Sequence, residues 1–191
     1  HLGPFAPCRR LFGGRTNVEN DKPIMDAYPY LSKIVDPADL HRLSDRELHE
    51  VAKEVRQAIL ANVSATGGHF SSNLGTVELT VALYAAYSLP PDKVIWDTGH
   101  QAYPHKMLTG RLERFDTLRK YKGLSGFLKR DENPHDAFGA GHAGTAISAA
   151  LGFALARDQR KTHEKIVAVT GDAAICSGMS WEALNHAGEL E

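Results

Sequence analysis

Four consecutive apolar residues, Ile166, Val167, Ala168 and Val169, stand between a polar turn and the triplet Thr170-Gly171-Asp172. An unbroken run of this kind suits a strand covered on both faces, as in a parallel sheet, whereas a strand with one wet face would alternate. Ligands of open α/β sheets collect outside the carboxyl ends of strands, so Asp172 is a carboxylate delivered to the usual crevice. Ser177 and Gly178 then precede Met179, Trp181, Ala183 and Leu184, whose spacing predicts a helix with free N–H donors near its start. An oxygen ligand on a rigid strand beside backbone donors is what a hard divalent cation paired with a diphosphate needs. An isolated Gly-Asp pair more often merely turns or caps the chain.

The remaining pattern supplies the other parts of such a sheet. Tyr28 to Leu43 reads as an extended entry followed by a short helical turn from about Asp36. Ser44 and Glu47 have capping-box spacing, and Leu48, Val51, Ala52, Val55 and Ile59 recur at helical intervals, so a helix is expected to about Ser64, stopped by Thr66, Gly67 and Gly68. A loop holding His69, Ser71, Ser72 and Asn73 leads to a second helix from Gly75 or Thr76 through Ala86. Its apolar surface predicts burial on most sides. Pro90 and Pro91 end it, and a strand at Val94 to Asp97 delivers Asp97, Thr98, Gly99, His100 and Gln101. Pro104 to Tyr121 is helical with a break near Gly110, and the charges from Arg111 to Lys122 read as a solvated face. Gly123 to Ala146 is a long loop of the sort that usually has a task, and Ala146 to Arg157 is a helix. Strand, loop, helix and strand in this order indicate a right-handed βαβ unit in a doubly wound parallel α/β sheet. Residues 1–24 lack periodicity and read as a disordered or non-native extension. Residues 25–191 form the expected domain. Its sheet should be incomplete, with the sequence truncated at both ends.

Composition narrows the functional classes. With 191 residues, a formal net charge of −1 and a pI of about 6.9, the chain has no global electrostatic case for nucleic acid or an anionic membrane. No apolar run reaches the length of a membrane span, and the first residues do not read as a secretory signal. Two cysteines, Cys8 and Cys176, suggest neither a disulfide framework nor a metal cluster. A reducing compartment is the default, with Cys176 a small buried thiol.

Three histidines follow glycines, in Gly68-His69, Gly99-His100 and Gly141-His142, and the topology carries all three toward the same sheet edge as Asp172. Glycine lets the backbone approach a ligand while the imidazole reaches toward it. A zinc site is the competing reading, but His100 and His105 share no evident helix and no carboxylate or thiolate lies at a ligand spacing.

The segments GGHFSSNLGTVELTVALYAAY, WDTGHQAYPHKMLTGR, GAGHAGTAIS and VTGDAAICSGMSWEALNHAG resemble the N-terminal domain of the 1-deoxy-D-xylulose-5-phosphate synthases over about Tyr28 to Glu189. The Gly99 to Arg111 loop separates this family from the transketolases, which share the fold. The resemblance implies a thiamine diphosphate-binding fold and a homodimeric, thiamine diphosphate- and magnesium-dependent transferase. That enzyme condenses pyruvate with glyceraldehyde 3-phosphate, with loss of carbon dioxide, in the cytoplasm or in a plastid stroma. By position, the resemblance makes Asp172 the magnesium ligand, and places Ala173 and Ala174 along the diphosphate. His100, Gly141, His142 and Ala143 become cofactor contacts, and His69 and His100 catalytic residues, the carbanion chemistry belonging to the cofactor. The family usually has Gly where Ala173 stands, a change that a negative φ would tolerate. The Asn of the metal motif and the glutamate that activates the cofactor have no counterpart in the sequence, so the chain alone is expected to bind cofactor poorly and not to turn over. A transketolase-type ketol transferase or a non-catalytic remnant that pairs with another subunit are the alternatives.

Overall fold

The computed structural model describes residues 27–190. The expectation for residues 1–24, and Cys8 with it, lies outside them. Helix α1, Asp45–Thr66, begins as its capping box dictates: Ser44 Oγ accepts the Glu47 N–H, and the Glu47 carboxylate returns to the Ser44 N–H at 2.8 Å. It stops at Gly67, whose φ of +74° favours a residue without a side chain. The buried Glu54 of this helix accepts the N–H groups of Tyr30 and Leu31 at 3.0 and 2.7 Å and so anchors the entry segment. The expected helical turn is a 3₁₀ helix over Pro37–Arg42, capped by Asp36.

Ser71–Leu74 forms a one-turn helix, α2, where sequence suggested only a loop; α3, Val77–Ala86, follows. Helix α3 is not buried all round. Val77, Thr80, Val81 and Tyr84 face the core, while Leu79 is 45% exposed, because only α1 and the Pro37–Arg42 turn pack strongly against it. Strand β1, Lys93–Trp96, is followed by a 3₁₀ turn at Gly99–Gln101 and the short helix α4, Tyr103–Lys106. The chain kinks at Thr109 and Gly110, the break expected from sequence, and a 3₁₀ helix covers Leu112–Thr117. No helix or strand longer than an isolated bridge occurs from there to α5, Ala146–Arg160. Strand β2, Ile166–Val169, and α6, Gly178–Leu190, complete the described elements.

Strands β1 and β2 pair in parallel with Lys93 opposite Ile166 and Trp96 opposite Val169, and α5 packs on both. The chain is therefore helix-rich α/β with a small parallel sheet. β1 is buried from Val94 to Trp96, but in β2 only Val169 is. The expectation of a strand covered on both faces thus fails for β2, which has one strand neighbour among the described residues. The hydrophobic core lies between α1, α3, β1, α4 and the segment from Leu112 to Leu128.

Both parallel strands run their carboxyl ends to one edge. There the fully buried Asp97 accepts the Ala146 N–H at the start of α5 at 2.8 Å and the Thr170 hydroxyl beyond β2 at 3.2 Å. Among the described residues no helix is long and apolar enough to cross a membrane.

Candidate active site

The loops that leave this edge bring His69, His100 and His142 together. Ring centroids are 5.0 Å apart for His69 and His100, 5.7 Å for His69 and His142, and 4.9 Å for the stacked pair His100 and His142. Phe127 closes one side, 5.9 Å from His69 and 5.3 Å from His142. Each approach has a local cause. Gly68 has a φ of +145°, and a Cβ there would stand 2.9 Å from the Tyr103 hydroxyl, which the His69 N–H also meets at 3.4 Å. At Gly99 a Cβ would lie 3.1 Å from the Phe127 ring and 3.2 Å from the Leu128 nitrogen, so glycine admits the long loop against the β1 exit. Bridges from Thr98 to Gly141 and His142 hold the third histidine.

His69 and His100 are half-buried and His142 is exposed. The Nδ1 atoms of His69 and His100 are buried and have no hydrogen-bond partner. Burial lowers the pKa of His69, helped by Arg119 and His142. Burial also lowers that of His100, helped by His69 and His142. Two neutral imidazoles with stripped nitrogens are fitted to exchange protons or hydrogen bonds with a ligand.

The other residues expected in the site lie next to this trio. The one proton of the Ser180 hydroxyl is shared between the carbonyls of Gly144 and Ala174, each 3.3 Å from Oγ, tying the Gly141-His142-Ala143 run to the turn after β2. Sequence reading gave Ser180 no role; it is buried in α6, three residues from Ser177. Asp172 is exposed and accepts the N–H of Ala173 at 2.9 Å. No group of three or more His, Cys, Asp or Glu among the described residues is arranged to hold a metal ion, so Asp172 stands as a single carboxylate at the crevice. Ala173 adopts φ −76° and ψ −34°, an ordinary region for a residue with a side chain. Cys176 is exposed rather than buried, because it belongs to the turn between β2 and α6 and not to a packed face.

A second cluster escaped the sequence reading. His105, fully buried, accepts from or donates to Tyr84 through Nδ1 and meets Asp136 through Nε2 at 2.7 Å. Arg111 reaches both oxygens of Asp136 at 2.8 and 2.9 Å and Glu132 at 2.9 Å, and Lys106 also pairs with Glu132. Arg111 is only 4% exposed, which corrects its expected place on a solvated face. Burial pushes His105 down to about 4, against the raising effect of Asp136. Burial alone would raise the Asp136 carboxyl, yet hydrogen bonds from His105 and Arg111 hold it below the usual range. A neutral His105 therefore donates from Nε2 to Asp136 and accepts from the Tyr84 hydroxyl, whose own pKa burial raises. His100 and His105, weighed together as zinc ligands, belong to different clusters.

Parallel strands, glycine-led loops and a cluster of three histidines at the carboxyl edge put the candidate site of this α/β domain where open α/β sheets hold ligands. Comparison supplies the family. A family model described as 1-deoxy-D-xylulose-5-phosphate synthase matches residues 31–191. A protein of that name from Chlorobaculum tepidum is 57% identical over 168 residues, which cover 88% of this chain and 26% of the relative. One from Thermomicrobium roseum is 58% identical over 163 residues, 85% of this chain and 26% of the relative. One from Cyanothece sp. is 57% identical over 161 residues, with shares of 84% and 26%. The chain belongs to the 1-deoxy-D-xylulose-5-phosphate synthase family, and it spans about a quarter of the length of these curated relatives.

Proposed function

We propose that residues 25–191 form the thiamine diphosphate- and magnesium-binding domain of a cytoplasmic, homodimeric transferase. That enzyme condenses pyruvate with glyceraldehyde 3-phosphate, releasing carbon dioxide, to give 1-deoxy-D-xylulose 5-phosphate. The observation that carries this reading is the trio at the sheet edge, with two buried, unpartnered Nδ1 atoms, beside the Gly141–Gly144 run. The names of the relatives supply the product.

The residues present fit the cofactor. The Ala173 methyl costs no backbone strain at φ −76°, and Ser180 already holds the Gly141-His142-Ala143 and Ala173-Ala174 segments side by side. When bound, the cofactor supplies a carbanion-stabilising centre. His100, Gly141, His142, Ala143, Ala173 and Ala174 would line it, and Asp172 would ligate the magnesium ion that grips its diphosphate. His69, neutral because burial lowers its pKa, would move a proton at the reacting carbons or orient the two carbonyl substrates. The trio and Phe127 would shield this exchange from bulk water.

Calorimetric titration of the complete protein with thiamine diphosphate tests the reading. Binding should require magnesium and disappear in Asp172→Ala. Equal affinity in that variant would reduce Asp172 to a turn residue.

A further inference from the structure

Asn73 lies in α2, fully buried, between the two loops that carry the half-buried histidines. Its Nδ2 donates to the main-chain carbonyls of His69 at 2.7 Å and His100 at 2.5 Å, while its Oδ1 accepts the Tyr103 N–H at 2.8 Å. One side chain thus spends both donors on the two residues whose Nδ1 atoms are buried and unpartnered. His69 and His100 are 31 positions apart, and among the hydrogen bonds described no other side chain binds both. Thr76 grips the neighbouring Gln101 carbonyl at 2.8 Å but neither histidine.

A buried primary amide that lost these partners would leave two carbonyls unsatisfied. The loops would then separate until water reached them. The same water would reach the imidazoles, whose desolvation depends on the loops staying closed.

We propose that Asn73 is the positioning residue of the His69–His100 pair, setting both the spacing and the dryness of the two imidazoles through their main chains. This rests on reading the trio as the reactive edge. Its test, however, needs neither cofactor nor substrate, so a failure of the proposed function leaves the result interpretable.

The experiment is histidine-resolved NMR on the wild-type chain, Asn73→Ala and Asn73→Leu, the last filling the amide's volume if the smaller side chain unfolds. Both variants should raise the titration midpoints of His69 and His100 toward the ordinary imidazole value by about half a unit or more. The cross-peak between their rings should weaken, while His105 and the exposed His163 should stay where they are. Thr76→Val should lower stability without moving any of these signals. Unchanged midpoints and an unchanged cross-peak in both Asn73 variants, with only stability lost, would overturn the proposal and leave Asn73 a structural amide.

Discussion

Two histidine clusters lie within one stretch of this chain and are built on opposite rules. Around His105 both ring nitrogens are bonded and Tyr84, Asp136, Arg111, Glu132 and Lys106 interlock, leaving Arg111 Nε and the Nε1 of the adjoining Trp96 as the buried polar atoms without a partner. Around His69, His100 and His142 the rings touch each other and Phe127, yet two buried nitrogens have no partner. A satisfied buried network fixes a scaffold, and an unsatisfied one leaves bonding capacity for something else. The difference separates a clasp, which fastens the Glu132–Asp136 part of the long loop onto α4, from a candidate site.

The sharpest way to break this contrast is to open the clasp. Asp136→Asn removes the negative charge shared by His105 and Arg111 and leaves Glu132 as the one carboxylate partner of the buried guanidinium. Denaturant unfolding should show a loss of about 3–5 kcal/mol. A loss below about 1 kcal/mol would mean that the clasp is not a scaffold.

Acid is the next probe. His105 has a folded pKa of about 4 against an ordinary value near 6.5, so between these the unfolded chain binds more protons than the folded one. Asp136, also depressed, acts in the same sense at lower pH. Stability should therefore be full above about pH 6.5 and fall by a few kcal/mol as the pH drops toward 4. Thermal melts across that range measure it, and His105→Phe should flatten the profile.

The smallest effect on stability is expected in the trio. His69→Ala should change unfolding free energy by less than about 1 kcal/mol, because the ring makes no side-chain hydrogen bond that folding depends on. Turnover of the active protein should fall by about 10²-fold or more. A large loss of stability would merge the two clusters into one structural class, and weakened cofactor affinity alone would remove His69 from the reacting centre.

The trio was legible in sequence and the clasp was not, for a physical reason. Each trio histidine follows a glycine next to an element boundary, a local signal. The capping box at Ser44 and Glu47 and the stop at Gly67 are equally local, and the structure keeps them. The clasp joins residues 21 to 31 positions apart, from Arg111 with Glu132 to His105 with Asp136, with no periodicity to announce them. Its one trace was charge density in Lys129-Arg130-Asp131-Glu132, which a solvated loop would show equally. The half-covered β2 and the one-sided burial of α3 failed for a related reason. Apolar pattern records what a surface could cover, and the neighbours that cover it lie elsewhere in the chain. Asn73 gave no signal at all, since a loop asparagine reads as a turn former until its three backbone partners are seen.

The carboxyl of Asp97 also bears on the order of folding. It is satisfied only when Ala146, 49 residues away, and Thr170, 73 residues away, have both arrived. Closing loops of that size before any reward is collected is slow, and it is far slower than winding α1. The carboxyl of Asp97 is thus fully paired only once the start of α5 and the end of β2 have both docked beside β1.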